Sequence, residues 1–107
     1  MKPVNLFADI PKAFEKEIFE TLAKSPNLKI ERILSHGQAT PPDQWYDQDL
    51  NEWVVLLKGR AGLLLAGETN IIELSPGDYL NIPAHRRHRV EWTDSQQPTV
   101  WLAIHYK

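Results

Sequence analysis

Hydrophobic positions recur with two different rhythms along this chain. Between Asp9 and Lys24 they fall at Phe14, Ile18 and Leu22, with Phe19 beside them, and Lys12, Glu15, Lys16 and Glu20 fill the polar side. A repeat of four predicts one amphipathic α-helix over 9–24. Asp9 suits its N-cap and Pro11 its first turn, where a missing N–H costs little. Ser25-Pro26-Asn27 ends it. From Leu28 onward the rhythm shortens. Apolar runs predict strands over 28–35, 52–58, 61–66, 71–74, 79–82, 88–92 and 99–106. Gly59, Gly67-Glu68-Thr69, Pro76-Gly77 and the stretch from Asp94 to Pro98 separate them. Residues 37–50 are polar, with Pro41-Pro42, and predict a loop or an irregular edge. So many short strands point to an all-β sandwich or barrel, and a double-sheet jelly roll fits the count. The chain divides into a helical segment, 1–27, packed on a barrel, 28–107, as a single domain.

Composition narrows the function classes. A chain of 107 residues supports one small core. Its net charge of −2 gives no case for nucleic-acid or membrane binding. There are no cysteines, so neither a disulfide framework nor a thiolate zinc site is available. No apolar run approaches the ~20 residues of a membrane span. The N-terminus lacks a basic stretch followed by an apolar one, so a cytoplasmic protein is expected.

The chemistry concentrates in two segments. In the first, from Ser75 to Trp92, Pro76-Gly77 suits the centre of a type II turn, since proline presets φ and glycine supplies the positive φ. Pro83 cannot donate to a ladder, so the strand before it ends there, and His85 and His88 follow. In the second, Glu52 opens an otherwise apolar strand that stops at Gly59. An ionisable group so placed must find a partner or a site. These segments resemble the two motifs of the cupin superfamily. The second motif, G-x5-P-x-G-x2-H-x3-N, is matched by Gly77, Pro83 and His88, with His85 at its second glycine and Trp92 at its asparagine. The first motif, G-x5-H-x-H-x3/4-E-x6-G, is matched by Glu52 and Gly59. Tyr46 and Gln48 (or Trp45 and Asp47) stand at its histidine spacings, and Gly37 is its leading glycine only if residues are inserted. The resemblance covers roughly residues 28–106.

The resemblance implies a double-stranded β-helix, the cupin jelly-roll barrel, with a small-molecule site inside. In the family two histidines and the glutamate of the first motif join the histidine of the second around one metal ion. Carried over, this implies a set of Gln48, Glu52 and His88, joined by His85 from its corner. Such a mixed nitrogen and oxygen set suits Zn, Fe, Mn, Co or Ni and leaves positions open. Tyr46 and His105 are then the candidate acid and base, His105 because it shares a strand face with Trp101 and Ala103. The implied chemistry is dioxygenation, isomerisation or decarboxylation. The alternatives are a metal-free ligand-binding or sensing module and a metal-free isomerase built on a His and Tyr pair. Beside these stands a plainer account, with Glu52 satisfied by Arg or Tyr, His88 held by a hydrogen bond and His36 on the surface. The run Arg86-Arg87-His88-Arg89 is either a lure for an anionic ligand or a solvated rim balancing Glu91 and Asp94. Trp45, Tyr46, Trp53, Trp92 and Trp101 are pocket lining or core. The open edges of such a sandwich lead us to expect a homodimer.

Overall fold

The computed structural model describes all 107 residues. Eight strands and no helix are present: β1 (Ile18–Ser25), β2 (Leu28–Ser35), β3 (Asn51–Lys58), β4 (Ala61–Leu65), β5 (Ile72–Leu74), β6 (Tyr79–Ile82), β7 (His88–Thr93) and β8 (Thr99–Tyr106). They form two antiparallel sheets, one of order β1-β2-β8-β3-β6 and one of order β5-β4-β7. The strands from β2 to β8 match the expected runs to within one residue at either end.

The expected N-terminal helix is not formed, and β1 takes its second half. A repeat of four is also a multiple of two, so it fits one face of a strand as well as one face of a helix. Pairing decides between them. The Pro26-Asn27 turn, read from sequence as a helix stop, folds β1 back on β2, so that Ile18 lies opposite Leu34 and Ser25 opposite Leu28. Residues 1–11 form an irregular strap over the outer face of β2, and the chain then crosses so that Glu17 reaches the inner face. The buried Arg32 guanidinium fastens the strap, donating to the carbonyls of Leu6 and Ala8 at 2.8 and 2.7 Å and to Glu20 Oε1 at 2.7 Å.

Strand alternation sorts the larger sheet into two faces. The inner face carries Val54, Leu56, Ile82, Trp101 and Ala103, which meet Ala61, Leu63 and Leu74 of the smaller strands to form the core. Gly59 makes the β3–β4 turn possible. Its φ is +88°, and a Cβ there would lie 2.8 Å from Thr99 Cα. Segment 37–50 forms no regular strand, as expected, but it runs beside β7. Thr40 N–H donates to the Val90 carbonyl at 2.9 Å, and Tyr46 and His88 exchange backbone hydrogen bonds of 2.8 and 3.1 Å. That single bridge fixes where the side chains of Tyr46 and Gln48 point.

Candidate functional site

Between the sheets lies a cavity of about 70 Å³. Its apolar wall includes Ile33, Val54, Leu63, Ile82, Val90 and Trp101, and its polar groups are Glu17, Glu31, Tyr46, Gln48, Glu52, His88 and His105. A water needs about 10–15 Å³ measured this way, so the space admits roughly five small atoms. It opens past Phe19, Glu31, Gln48 and His105 into a groove of about 660 Å³ also lined by Lys29, Asp47, Asp49 and Leu50.

Two carboxylate–imidazole pairs dominate the cavity. His88 Nδ1 lies 2.9 Å from the Arg86 carbonyl, an acceptor only, so this nitrogen carries a hydrogen and donates it. Nε2 then faces Glu52 Oε1 across 3.4 Å. A neutral ring with its hydrogen on Nδ1 would present a lone pair to a carboxylate, so the pair holds a proton between its two members. Burial alone pulls the imidazole down, but the Glu52 hydrogen bond, the Arg86 carbonyl and the Glu52 charge outweigh it and hold His88 above its ordinary value. Tyr46 stacks on His88 with ring centroids 5.6 Å apart. Burial, with the charges of Glu17 and Glu52, pushes the phenol above its ordinary range, so it is a neutral donor at pH 7.

The second pair joins His105 Nε2 to Glu31 Oε1 at 3.1 Å, and Lys29 Nζ approaches the other Glu31 oxygen at 3.1 Å. Backbone register places His105 directly across from Glu52, so the two pairs share one wall. A third carboxylate, Glu17, accepts from the Ser35 hydroxyl at 2.6 Å, and that hydroxyl in turn accepts from Trp101 Nε1–H at 3.1 Å. Burial pushes Glu17 up, against the Ser35 hydrogen bond. Gln48 Oε1 is buried with no donor.

Of the residues named from sequence, Tyr46, Gln48, Glu52, His88 and His105 line the cavity. His85 does not, which corrects its placement among the ion-holding set. It adopts φ +63° at the position where the family motif has its second glycine. In that left-handed corner its ring turns outward to Asp47 Oδ1 at 2.8 Å, 63% exposed. The three arginines of the basic run also face away. Arg86 donates to the Ala66 carbonyl, Arg89 meets Glu91 at 3.0 Å, and the Arg87 and Arg89 guanidinium groups each lie 5.6 Å over Trp45.

Glu17 and Glu31 were not among the sequence candidates. Glu17 lay inside the expected helix. Glu31 carried a usable signal, since it shares strand parity with Ile33.

The donor set does not fit the family's ion. Its two first-motif imidazoles are a phenol that keeps its proton and a neutral amide, and no three His, Asp or Glu side chains converge as ligands. No metal is therefore assigned to these residues.

No curated protein matches the sequence. Among solved structures, the chain superposes with a TM-score of 0.97 on a Ralstonia eutropha JMP134 protein named "putative mannose-6-phosphate isomerase", 51% identical over 100% of this chain and 99% of that one. A cupin superfamily protein from Desulfitobacterium hafniense DCB-2 gives 0.78 at 21% identity, covering 98% and 90%. An RmlC-like cupin from Desulfovibrio desulfuricans gives 0.74 at 22% identity, covering 98% and 96%. These last two agree in fold alone. The family profile described as "Cupin domain" matches residues 31–105, most of the chain and all the strands from β3 to β7, and on that match this protein belongs to the cupin family.

Proposed function

We propose that the cup binds a small hydroxylated carbonyl compound and moves a proton on it without a metal, as in isomerisation or epimerisation. The observation that carries this reading is the His88–Glu52 pair, whose geometry requires a shared proton inside an apolar cavity. A base and a neutral donor beside it are what carbon-to-carbon proton transfer needs. In the proposed step the pair's own proton stays on His88, and the Glu52 carboxylate takes the proton from the hydroxyl-bearing carbon next to the carbonyl. The Tyr46 hydroxyl gives its proton to the carbonyl oxygen. In isomerisation Glu52 returns the carbon proton to the former carbonyl carbon, and the neighbouring O–H gives its proton back to Tyr46. In epimerisation the proton returns to the same carbon and Tyr46 recovers its own. Neither consumes an oxidant or reductant.

The polarity of the wall supports this ligand class. Glu17, Glu31, Glu52 and the unpartnered Gln48 Oε1 all accept hydrogen bonds, and no arginine lines the cavity. An anionic ligand finds no free cation there, whereas hydroxyl groups find acceptors. The 51% identical relative, named "putative mannose-6-phosphate isomerase", shares the proposed reaction type; the phosphate in that name would have to lie outside the cavity. The cavity has room for the reacting end only, and the groove takes the remainder.

The test is deuterium incorporation from solvent at the carbon beside the carbonyl, followed by NMR over a panel of hydroxyaldehydes and hydroxyketones. Metal content is measured on the same sample. Exchange that persists in chelator and is lost in Glu52→Gln and His88→Ala supports the proposal. Saturable binding without exchange leaves a binding module. Exchange that appears only with added Zn, Fe, Mn, Co or Ni overturns the metal-free step.

A further inference from the structure

We infer that His105 is a specificity-determining residue, recognising a second ligand hydroxyl where the cavity meets the groove. The inference rests on the proposed function and narrows its substrate class to compounds with an oxygen on each of three adjacent carbons.

Volume sends part of the ligand to the neck. The cavity admits roughly five small atoms. A carbonyl, the hydroxyl-bearing carbon beside it and one further carbon fill that space. Any substituent on the third carbon then lies at the mouth. Phe19, Glu31, Gln48 and His105 border both the cavity and the groove, and so form that mouth.

The sheet sets the distance. Register places Lys29, His105 and Glu52 side by side on β2, β8 and β3. Residues opposite one another in register project to the same face, and neighbouring strands lie about 4.8 Å apart. A carbon within reach of Glu52 therefore puts a hydroxyl on the next carbon but one within reach of His105.

The ring is held for this contact. His105 is 9% exposed, with Nε2 at 3.1 Å from Glu31 Oε1 and Lys29 Nζ at 3.1 Å from the other Glu31 oxygen. A carboxylate flanked by an ammonium accepts, so Nε2 carries the hydrogen, and the neutral ring leaves Nδ1 as an acceptor. No group of the protein meets Nδ1, so its partner comes from the space that the ring borders. The mechanism drawn for Glu52, His88 and Tyr46 leaves this nitrogen unused. Gln48 Oε1, the other acceptor at the neck, lies two residues from Tyr46 and serves the hydroxyl on the reacting carbon. A ligand with a methyl group at the third carbon expels water from Nδ1 and offers nothing in return.

Dihydroxyacetone and hydroxyacetone differ by that one hydroxyl and are the probes. Two readouts on the full chain separate recognition from proton transfer. The first is nitrogen-15 NMR of the labelled histidines. Both ketones should move His88 Nε2, dihydroxyacetone alone should move His105 Nδ1, and it should bind at least ~10-fold more tightly. The second is deuterium entry at the hydroxymethyl carbon, with the same order in kcat/KM. In His105→Leu the ratio of affinities should fall close to one. Both affinities are read on the same variant, so a general loss of folding leaves the ratio alone. Gln48→Leu should keep the preference, since both ketones carry the hydroxyl it serves. Preference in binding without any exchange supports the role of His105 and sinks the proton-transfer reading instead. Equal affinity for the two ketones in the wild type, binding of neither, a stationary His105 Nδ1, or a preference that survives His105→Leu overturns the inference.

Discussion

Replacing Glu52 by Gln removes the charge that His88 faces across 3.4 Å and keeps the shape of the side chain. In the wild type the folded His88 pKa lies above its ordinary value. The stabilisation from the pair is therefore fully present below the unfolded pKa, about 6.5, and is lost as pH rises through the folded pKa. A hydrogen bond to a charged group contributes about 1.5–3 kcal/mol. The full ~3–5 kcal/mol of an abandoned buried charge does not apply, because the imidazole can release its proton. At pH 5.5 the E52Q variant should thus be less stable by about 2 kcal/mol, which in a domain of this length lowers Tm by roughly 8–16 °C. Well above the folded pKa the wild-type ring is discharged and the gap should fall below ~1 kcal/mol. Urea unfolding followed by tryptophan fluorescence at both pH values measures the two gaps. A variant as stable as the wild type at pH 5.5 would refute the reasoning. It would mean that the proton resides on Glu52, a role the amide NH2 of glutamine reproduces by donating to a bare Nε2.

Other substitutions test neighbouring parts of the account. Glu17 has a raised pKa, so its ionisation costs stability as pH climbs above the ordinary carboxylate value of 4.5; Glu17→Gln, which can still accept from Ser35, should raise the urea midpoint at pH 7 by up to ~1 kcal/mol equivalent and change little at pH 4. His85→Gly relieves a left-handed φ at the cost of an exposed contact with Asp47, so stability should rise by ~1 kcal/mol or hold, with ligand affinity unaltered in titration calorimetry. Gly59→Ala drives a Cβ into Thr99 at an unfavourable φ and should destabilise the fold by ~2 kcal/mol or more in the same urea assay.

The strands from β2 to β8 were legible because each is a short apolar run closed by a turn residue whose conformation the structure shares. Gly77 has φ +95°, and the Asp78 amide closes its turn on the Ser75 carbonyl at 2.9 Å. β1 was not legible, because Ile18, Leu22 and the polar groups around them satisfy a helical and an extended pattern alike. Its strand form is imposed by β2, a contact no local window contains. In the site, Glu52 and His88 were found by their spacing, and Tyr46 and Gln48 by theirs. The bridge from Tyr46 to His88 then does what a regular strand would do in holding them. His85 went astray because a corner residue has no alternation to follow. Glu17 was hidden by the helix reading. Glu31 shared strand parity with Ile33, but its charged neighbour Arg32 masked the alternation; both are buried, one facing the cavity and one facing the strap.

The most direct test of the central claim is nitrogen-15 NMR of the His88 ring across a pH titration, repeated with the most tightly bound hydroxycarbonyl. The account predicts a titration midpoint raised above the ordinary histidine value, a proton that leaves Nε2 first while Nδ1 keeps its own, and a shift of Nε2 when the ligand enters. A neutral ring at pH 6 with Nδ1 bare, or an Nε2 signal unmoved by any ligand at saturation, would contradict it.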